Sequence, residues 1–532
     1  MGNASAESGT IWGATLASGG GHLVRVETCL GRGLSRVILV GMPDTVAKEA
    51  RERLPAAFAK HDLEFPRGKI LFNLVPAQLP KTGLPFDLAL AISLVCAQGR
   101  APRPKTKTLF LAELDLQGKL RAPARGTLLA ALAAAKGACT TVITAPEAAQ
   151  EAALIPQLQV LAAEHLGQVV SYLRNQQELE SIRPPQQASS ATQDKNAKAG
   201  SSLSELRGQE LAQRAAHLAM VGRLNLWLEG PPGTGKSMLA RRLLGLRPPL
   251  SAQQSLELAQ VEAMLGPVPA LPRVPPFRAP HASASMQALL GGGRPLRPGE
   301  LARAHGGILF LDEIPEFSRP ALECLRQPLE EREVRLQRAQ EWARFPADVL
   351  LVATSNPCSC GYLGHPHRPC TCTEAKLRAY RGRLSGPLRD RFDLFVRMDP
   401  VPSEVLTGPP TALSEEERHR LFTDTRSFQR GVLQQRSFLE AADASMEQLQ
   451  ESGIEETAHQ LLRQANARLH LSGRGYLRCL RCARAAADLR QSRSIESEDV
   501  RVALSLRPLP AEAQTTTGLP HFPGRAARRL QP

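Results

Sequence analysis

The feature that most constrains this chain lies between Asn225 and Leu244. Asn225-Leu-Trp-Leu has the apolar content and length of a buried strand. Glu229-Gly230-Pro231-Pro232-Gly233-Thr234-Gly235-Lys236-Ser237 follows at once, and Met238-Leu-Ala-Arg-Arg-Leu-Leu is compatible with a helix. Strand, glycine-rich loop and helix in that order make a phosphate-binding loop. The glycines let successive backbone N–H groups turn inward, and the helix N-terminus adds positive potential. Lys236 is placed to reach the β and γ phosphates of a nucleotide, and the Ser237 hydroxyl to ligate Mg²⁺. The pattern therefore predicts ATP and Mg²⁺ as cofactors, held by Gly230 through Ser237.

Further along, Gly307-Ile-Leu-Phe-Leu-Asp312-Glu313 is a hydrophobic run of strand length ending in two carboxylates. Asp312 is suited to hold the metal and its water shell, and Glu313 to orient and deprotonate an attacking water. A third apolar run, Val349 to Ala353, leads through Thr354-Ser355 to Asn356. Asn356 is a candidate to polarise that water or sense the γ phosphate; a turn residue before Pro357 is the alternative.

A chain of 532 residues predicts about three to four domains at roughly 150 residues each. An apolar content of 42% excludes wholesale disorder. No uninterrupted apolar run reaches the roughly 18 residues of a membrane span, and MGNASAESGT has neither the basic nor the apolar region of a secretory signal. With ten cysteines and no export signal, a reducing cytoplasm is expected rather than a disulfide scaffold. The charge of +15 fits a polyanionic partner such as nucleic acid, with a merely basic surface as the alternative. Aromatic residues make up only 4%, which argues against base-stacking platforms. DNA binding would then be led by backbone contacts and sensitive to salt.

Composition divides the chain. Residues 1–175 alternate strand-like runs (Val37 to Val40, Ile70 to Val75, Thr108 to Leu111, Thr141 to Thr144) with helix-like stretches such as Thr45 to Lys60 and Thr127 to Lys136, an α/β or α+β pattern. Residues 176–202 are rich in Gln, Ser, Ala and Pro and read as a linker. Residues 203–400 carry the nucleotide motifs and a Cys-rich insertion, 358–372. A second boundary falls near Pro400 to Ser414, 401–507 reads as helical, and 508–532 as a basic, loose tail.

Three functional strand ends in this order, followed by a helical lid domain, resemble an AAA+ ATPase with a parallel sheet. Leu384-Ser-Gly-Pro-Leu-Arg389-Asp-Arg391-Phe-Asp393 is similar to the arginine-finger segment of that superfamily, with Arg391 as the finger acting across a subunit interface. Ser472-Gly-Arg474-Gly-Tyr-Leu-Arg478 resembles the second sensor, with Arg474 or else Arg478 in the role; with Arg481 and Arg484 nearby, a solvated or DNA-facing basic side is the alternative. Arg207-Gly208-Gln209 resembles the segment beside the nucleotide base.

The resemblance narrows at Pro276-Phe-Arg-Ala-Pro-His281, Gly291-Gly-Gly293, Arg297-Pro-Gly-Glu300, Pro315-Glu-Phe-Ser318, Arg326-Gln-Pro-Leu-Glu330 and Asn356-Pro-Cys-Ser-Cys360-Gly-Tyr. Together these are similar to the magnesium chelatase-related AAA+ branch, specifically the ComM/YifB-like family, over about Ile11 to Leu506. The family commonly has a second His and a Thr after His281, where this chain has Ala282 and Ser283. The N-terminal part resembles the family's Lon-protease-like (S5 domain 2-like) α/β domain through Val40-Gly-Met-Pro-Asp44, Lys48-Glu-Ala-Arg-Glu52, Phe65-Pro66, Asn73-Leu-Val-Pro76 and Gly83-Leu-Pro-Phe-Asp87. A serine–lysine protease needs an activated Ser, and Lys81-Thr-Gly-Leu-Pro-Phe-Asp-Leu-Ala has none. Thr82 is the remaining nucleophile candidate, and binding or assembly is the more economical role. The resemblance implies a ring-forming motor, a hexamer, that drives branch migration on branched DNA in recombination and natural transformation. A protein-remodelling ATPase and a chelatase-type ATPase subunit are the alternatives.

Two local patterns complete the reading. Glu333-Val-Arg335-Leu-Gln-Arg338-Ala-Gln-Glu-Trp-Ala-Arg344 alternates like a short hairpin, and its three arginines suit phosphates. From Arg368 to Arg391, seven basic residues face two acids. Cys358-x-Cys360 and Cys370-x-Cys372 flank nine residues that include His365 and His367. Four thiolates satisfy a tetrahedral structural Zn²⁺, although C-x-C is tighter than the usual C-x₂₋₄-C and His is a possible replacement for one Cys. Reduced structural thiols or a redox sensor are the alternatives. Cys479 and Cys482 are expected to pack inside a helical domain.

Overall fold

A computed structural model describes residues 9–41, 44–183, 207–338, 341–407 and 415–507. The tail 508–532, most of the expected linker 176–202, residues 408–414 of the second expected boundary, Met42 and Pro43 of the N-terminal motif and the hairpin tip at 339–340 lie outside the described residues. Two compact units emerge: Met1–Ser201 with Leu244–Leu351 and Arg383–Leu388, and Ser202–Leu243 with Val352–Gly382 and Arg389–Pro532. The phosphate loop belongs to the second unit and the Asp312-Glu313 pair to the first. No helix among the described residues is long and apolar enough to cross a membrane.

The first unit begins with a mixed eight-stranded sheet, its strands numbered along the chain: β1 (Ile11–Ala17), β2 (Gly20–Gly31), β3 (Arg36–Val40), β4 (Lys69–Val75), β5 (Thr108–Leu111), β8 (Thr141–Thr144), β9 (Gln159–Ala162) and β10 (Glu180–Ile182), in the order β10-β9-β8-β5-β1-β2-β4-β3. A small hairpin, β6 (Glu113–Leu114) and β7 (Leu120–Arg121), stands apart from it. β5 and β8 are buried at every residue, as parallel strands covered on both faces must be. The antiparallel β1–β2 pair turns at Ser18 and Gly19, whose φ of 52° and 78° match the two-residue turn with both centres left-handed. Helix Thr127–Lys136 rides close on β2, because a Cβ at Gly21 would lie 2.2 Å from the Leu129 carbonyl oxygen. Helix Asp87–Ala97 is buried continuously from Asp87 to Val95. At its first residue, burial pushes the Asp87 carboxyl up to about 6 against the pull of Arg53.

The same unit contains β12 (Phe277–Arg278) parallel to β15 (Ile308–Leu311), the short pair β13 (Gly291–Gly292) and β14 (Arg297–Pro298), and the hairpin β16 (Glu333–Arg338) and β17 (Glu341–Pro346). Arg278 grips Glu300 with two hydrogen bonds of 2.6 and 2.8 Å, which joins two of the sequence motifs. Arg125 Nη1 donates to the Met264 carbonyl at 3.2 Å.

In the second unit, β11 (Leu226–Glu229) runs parallel to the last four residues of β18 (Leu350–Ser355) and to β19 (Leu394–Arg397). Trp227 donates to Ser355 Oγ at 2.8 Å and packs on Phe392 and Phe395. The architecture is thus α/β, with a parallel-sheet nucleotide core and a C-terminal helical region: Glu415–Arg436, Met446–Glu451, Glu456–Leu469, Gly473–Leu489 and Ser497–Ser505.

Helix Gly473–Leu489 is central to that region. Cys479 and Cys482 are buried in it. Its Asp488 carboxylate, fully buried, accepts from Arg436 at 2.6 and 3.0 Å, Arg484 at 2.9 Å and Gln429 at 2.9 Å. Arg484 therefore does not fit the alternative of a solvated or DNA-facing basic side: it is 1% exposed. Its charge is answered one helical turn away by Asp488, a pairing that an arginine-rich pattern does not reveal. Arg481 donates to the Ala444 carbonyl. Removing one partner of a buried ion network typically costs about 3–5 kcal/mol. We expect Asp488→Ala to lower the first thermal unfolding transition markedly, measured by differential scanning fluorimetry; an unchanged transition would remove the network from the list of stabilising contacts.

Candidate nucleotide site

Strand β11 delivers Glu229 to the start of the phosphate loop. A Cβ at Gly230 would lie 2.2 Å from the Met398 carbonyl oxygen, so the chain passes there only as glycine. Gly233 and Gly235 take φ of 82° and 90°, the left-handed region that glycine enters without steric cost. Gly235 caps helix Lys236–Arg242. Thr234 Oγ1 donates to the Pro231 carbonyl at 3.0 Å and closes the turn. Lys236, only 8% exposed, donates to the carbonyls of Gly230 (2.6 Å) and Pro231 (2.8 Å) and to Asn356 Oδ1 at 3.3 Å. Ser237 follows on the first turn, partly buried. A glycine-lined loop, a helix start and an anchored ammonium form a cradle that fits a nucleotide's phosphates.

Asp312 and Glu313 lie at the end of β15 in the first unit, Asp312 partly buried and Glu313 exposed. Glu313 has φ 51° and ψ 54°, a left-handed conformation unusual for a residue other than glycine and of the kind that gathers at functional sites. Arg391, partly buried, is anchored through its carbonyl, which accepts from Asn225 Nδ2 at 2.8 Å. Arg474 is exposed on the first turn of Gly473–Leu489. Arg478 instead donates to Asp390 (2.8 Å) and the Phe392 carbonyl (3.1 Å), bracing the Arg391 segment. Gly208 adopts φ 63° beside Val401 and Val405, and Gln209 donates to the Asp399 carbonyl at 2.6 Å.

Sequence reasoning missed Glu229. Burial raises its carboxyl above the ordinary range, against the opposing pull of Arg397, Arg381, Arg389 and Lys236. One carboxylate thus faces the loop lysine and three arginines from separate segments. Only its position just before Gly230 hinted at a role.

The four cysteine sulfurs come together within 4.8 Å of one another. Backbone N–H groups of Tyr362 and Thr371 draw the Cys360 thiol down to about 5, and the Ser359 hydroxyl lowers that of Cys372. In hairpin β16–β17, Arg335 pairs across the strands with Arg344, and Gln337 with Trp342. Arg335 and Arg344 both donate to Glu333, which is 7% exposed, while their own side chains are 63% and 66% exposed. Arg338 reaches the Gly293 carbonyl at 3.4 Å, and Trp342 is 59% exposed. In the N-terminal sheet domain, Lys81 is buried and donates to the Pro76 carbonyl, and Thr82 Oγ1 donates to the Leu16 carbonyl at 3.3 Å.

Comparison with known proteins supplies the family. The family described as magnesium chelatase, subunit ChlI, matches residues 202–406, its C-terminal part matches 414–507, and the family described as subunit ChlI of Mg-chelatase matches 26–148. An uncharacterized protein of Mycobacterium tuberculosis is 38% identical over 500 residues, 92% of this chain and 96% of that protein. YifB of Escherichia coli, itself uncharacterized, is 37% identical over 490 residues, and the competence protein ComM of Haemophilus influenzae 36% over 490, each covering 91% of this chain and 94% of the relative. This chain belongs to the magnesium chelatase-related AAA+ ATPases of the ComM/YifB group. As a member of that group it is an ATP-hydrolysing enzyme that uses ATP and Mg²⁺, and the kinship supports an ATP-driven motor role.

Two substitutions test the residue roles in this ComM/YifB-group ATPase. Lys236→Ala should abolish binding of a fluorescent ATP analogue at concentrations that saturate the unmutated chain. Glu313→Gln should keep that binding while turnover drops by about 10²–10⁴, the range for a lost general base. Normal turnover in either variant would discredit the assigned site.

Proposed function

We propose that this chain is an AAA+ motor that assembles into a ring, a hexamer, and drives branch migration on branched DNA, as in recombination and natural transformation. The observation that carries the DNA reading is the outer face of hairpin β16–β17. Side chains two apart on a strand share a face, so Arg335, Arg344, Gln337 and Trp342 line up there, as their register requires. Glu333 at the root accepts from both guanidinium Nε groups and holds the two arginines side by side. Arginine beside an exposed indole offers phosphate contact and base stacking together. The low aromatic content argues against a broad stacking platform; a single indole at a hairpin is compatible with that. The relative named as a competence protein supports the same reading.

Within it, Lys236 and the loop amides hold the β and γ phosphates, Ser237 and Asp312 hold Mg²⁺, and Glu313 takes the proton from the attacking water. Asn356, already bonded to Lys236, senses the γ phosphate. Arg391 acts as the finger toward a neighbouring subunit and Arg474 as the second sensor, since Arg478 is committed to Asp390. Residues 1–175 are a Lon-protease-like domain, 203–400 the ATPase core and 401–507 the lid. The N-terminal domain serves binding or assembly, a role supported by Thr82 and Lys81 each donating to a backbone carbonyl. Reduced thiols suit a cytoplasmic location, and the four-cysteine cluster holds a structural metal.

The test is ATP turnover without DNA, with single-stranded DNA and with a four-way junction, at two salt concentrations. Stimulation should be strongest with the junction and fade with salt, as phosphate contacts require. The pair Arg335→Ala and Arg344→Ala should remove the stimulation while basal turnover persists, and Trp342→Ala should weaken single-strand binding by about 1–3 kcal/mol. Turnover indifferent to every DNA form would transfer the assignment to protein remodelling or a chelatase-type reaction.

A further inference from the structure

We infer that Cys358, Cys360, Cys370 and Cys372 form a tetrathiolate zinc site whose occupancy fixes the phosphate loop, so that the metal controls nucleotide turnover. The coupling rests on the reading of Gly230–Ser237 and Asn356 as the nucleotide site; the metal site stands without it.

Geometry carries the metal. Tetrahedral zinc with Zn–S bonds near 2.3 Å requires sulfurs about 3.8 Å apart. Here Cys358 and Cys360 are separated by 3.3 Å, Cys360 and Cys370 by 3.5 Å, and Cys358 and Cys370 by 3.7 Å, with all four within 4.8 Å. These separations exceed the roughly 2.05 Å of a disulfide. So small a sulfur cage encloses a single ion and leaves no space for an iron–sulfur cluster. Soft thiolates select zinc over the hard cations.

The alternative of four packing thiols fits less well. Only Cys358 is buried; Cys360, Cys370 and Cys372 are partly exposed. Residues 356–373 contain neither helix nor strand, and irregular loops longer than about 12–15 residues are uncommon without a function or a cross-link. His365 is engaged otherwise: its Nδ1 accepts from the backbone N–H of His367 and Arg368, both at 3.1 Å, and neither histidine belongs to the group of close ligand atoms. That makes His365 a turn-forming residue and leaves the coordination to sulfur.

Three contacts join this loop to the nucleotide site within the second unit. Cys358 follows Asn356 by two residues, and Asn356 Oδ1 accepts from Lys236. Gly361, at φ 85°, is pressed against the phosphate loop so closely that a Cβ would come within 2.9 Å of Pro232 Cδ. Gly364, at φ 76°, lies against Arg397, where a Cβ would sit 2.2 Å from Nη2. Arg397 in turn is one of the cationic groups that oppose the effect of burial on Glu229. A metal that fixes the loop therefore fixes Asn356, Pro232 and Arg397 together.

The experiment measures metal content and nucleotide affinity on the full chain. Elemental analysis of protein purified without chelator should find one zinc per chain, and Cys370→Ser or Cys372→Ser should lose it. Zinc stripped by a thiol-displacing mercurial, scored with a chromogenic chelator, should weaken binding of a fluorescent ATP analogue and lower turnover by about 10- to 100-fold. Thiol reductant with added zinc, but not added magnesium alone, should restore both, which keeps the test valid where the Cys variants misfold. Gly361→Val should retain zinc yet bind nucleotide more weakly. No zinc, or another metal in its place, overturns the site. Zinc whose removal leaves affinity and turnover unchanged overturns the coupling. Lys236→Ala separates the two readings, since it should keep its zinc while losing nucleotide; nucleotide binding intact in that variant would fault the nucleotide site and leave the zinc assignment standing.

Discussion

An ammonium taken out of water has to be answered by oxygen, and much of the nucleotide region is arranged to answer Lys236. The Gly230 and Pro231 carbonyls point at it because the loop doubles back on itself. The loop can double back because Gly233 and Gly235 accept left-handed backbone and because Gly230 has no Cβ to strike Met398. Asn356 supplies the third oxygen from the end of β18, whose pairing with β11 puts Ser355 opposite Glu229. Glu229, just before the loop, is acted on by Arg397, Arg381, Arg389 and Lys236, which oppose the effect of its burial.

What could be read from the amino-acid order was what is local in it. The strands at Thr108–Leu111, Thr141–Thr144 and Ile308–Leu311 and the helix at Thr127–Lys136 were legible because apolar continuity and flanking turn residues are properties of neighbours. The glycine turn at Gly230–Gly235 and the helix that starts at Lys236 were legible because the glycines and the lysine are contiguous. The β1–β2 hairpin was not, since Gly13 and Gly20-Gly21 break the strand pattern; Gly13 lets Phe86 and Gly21 lets the Leu129 backbone come close. Glu229 had no signal beyond its position before Gly230, as the arginines that act on it lie more than a hundred residues away in sequence.

Arg484 shows the same limit from the other side. Arg474, Arg478, Arg481 and Arg484 recur at helical spacing and suggest one basic face. In the structure they divide: Arg474 is exposed, Arg478 is tied to Asp390, Arg481 to Ala444, and Arg484 sits in the core with Asp488. Periodicity shows which residues share a side of a helix, but not whether that side meets water. A helix packed on several sides, as Gly473–Leu489 is, makes that inference fail most readily.

The unit boundaries bear on how hydrolysis would do mechanical work. Glu313, in its left-handed conformation, ends the segment that follows β15, and the chain from there reaches hairpin β16–β17 through helices Arg319–Glu323 and Arg326–Glu331, all within one compact unit. Val334 and Phe345 bury the inner face of the hairpin, and Phe345 lies beside Gly19 at the β1–β2 turn. Glu313, the hairpin and the N-terminal sheet thus belong to one unit, with Glu333 coupling the exposed arginines to the hairpin's buried root. Packed interiors respond to a local shift by moving as bodies rather than by deforming smoothly. A change of backbone state at Glu313 would accordingly reach the Arg335–Arg344–Trp342 face as a displacement of the whole hairpin.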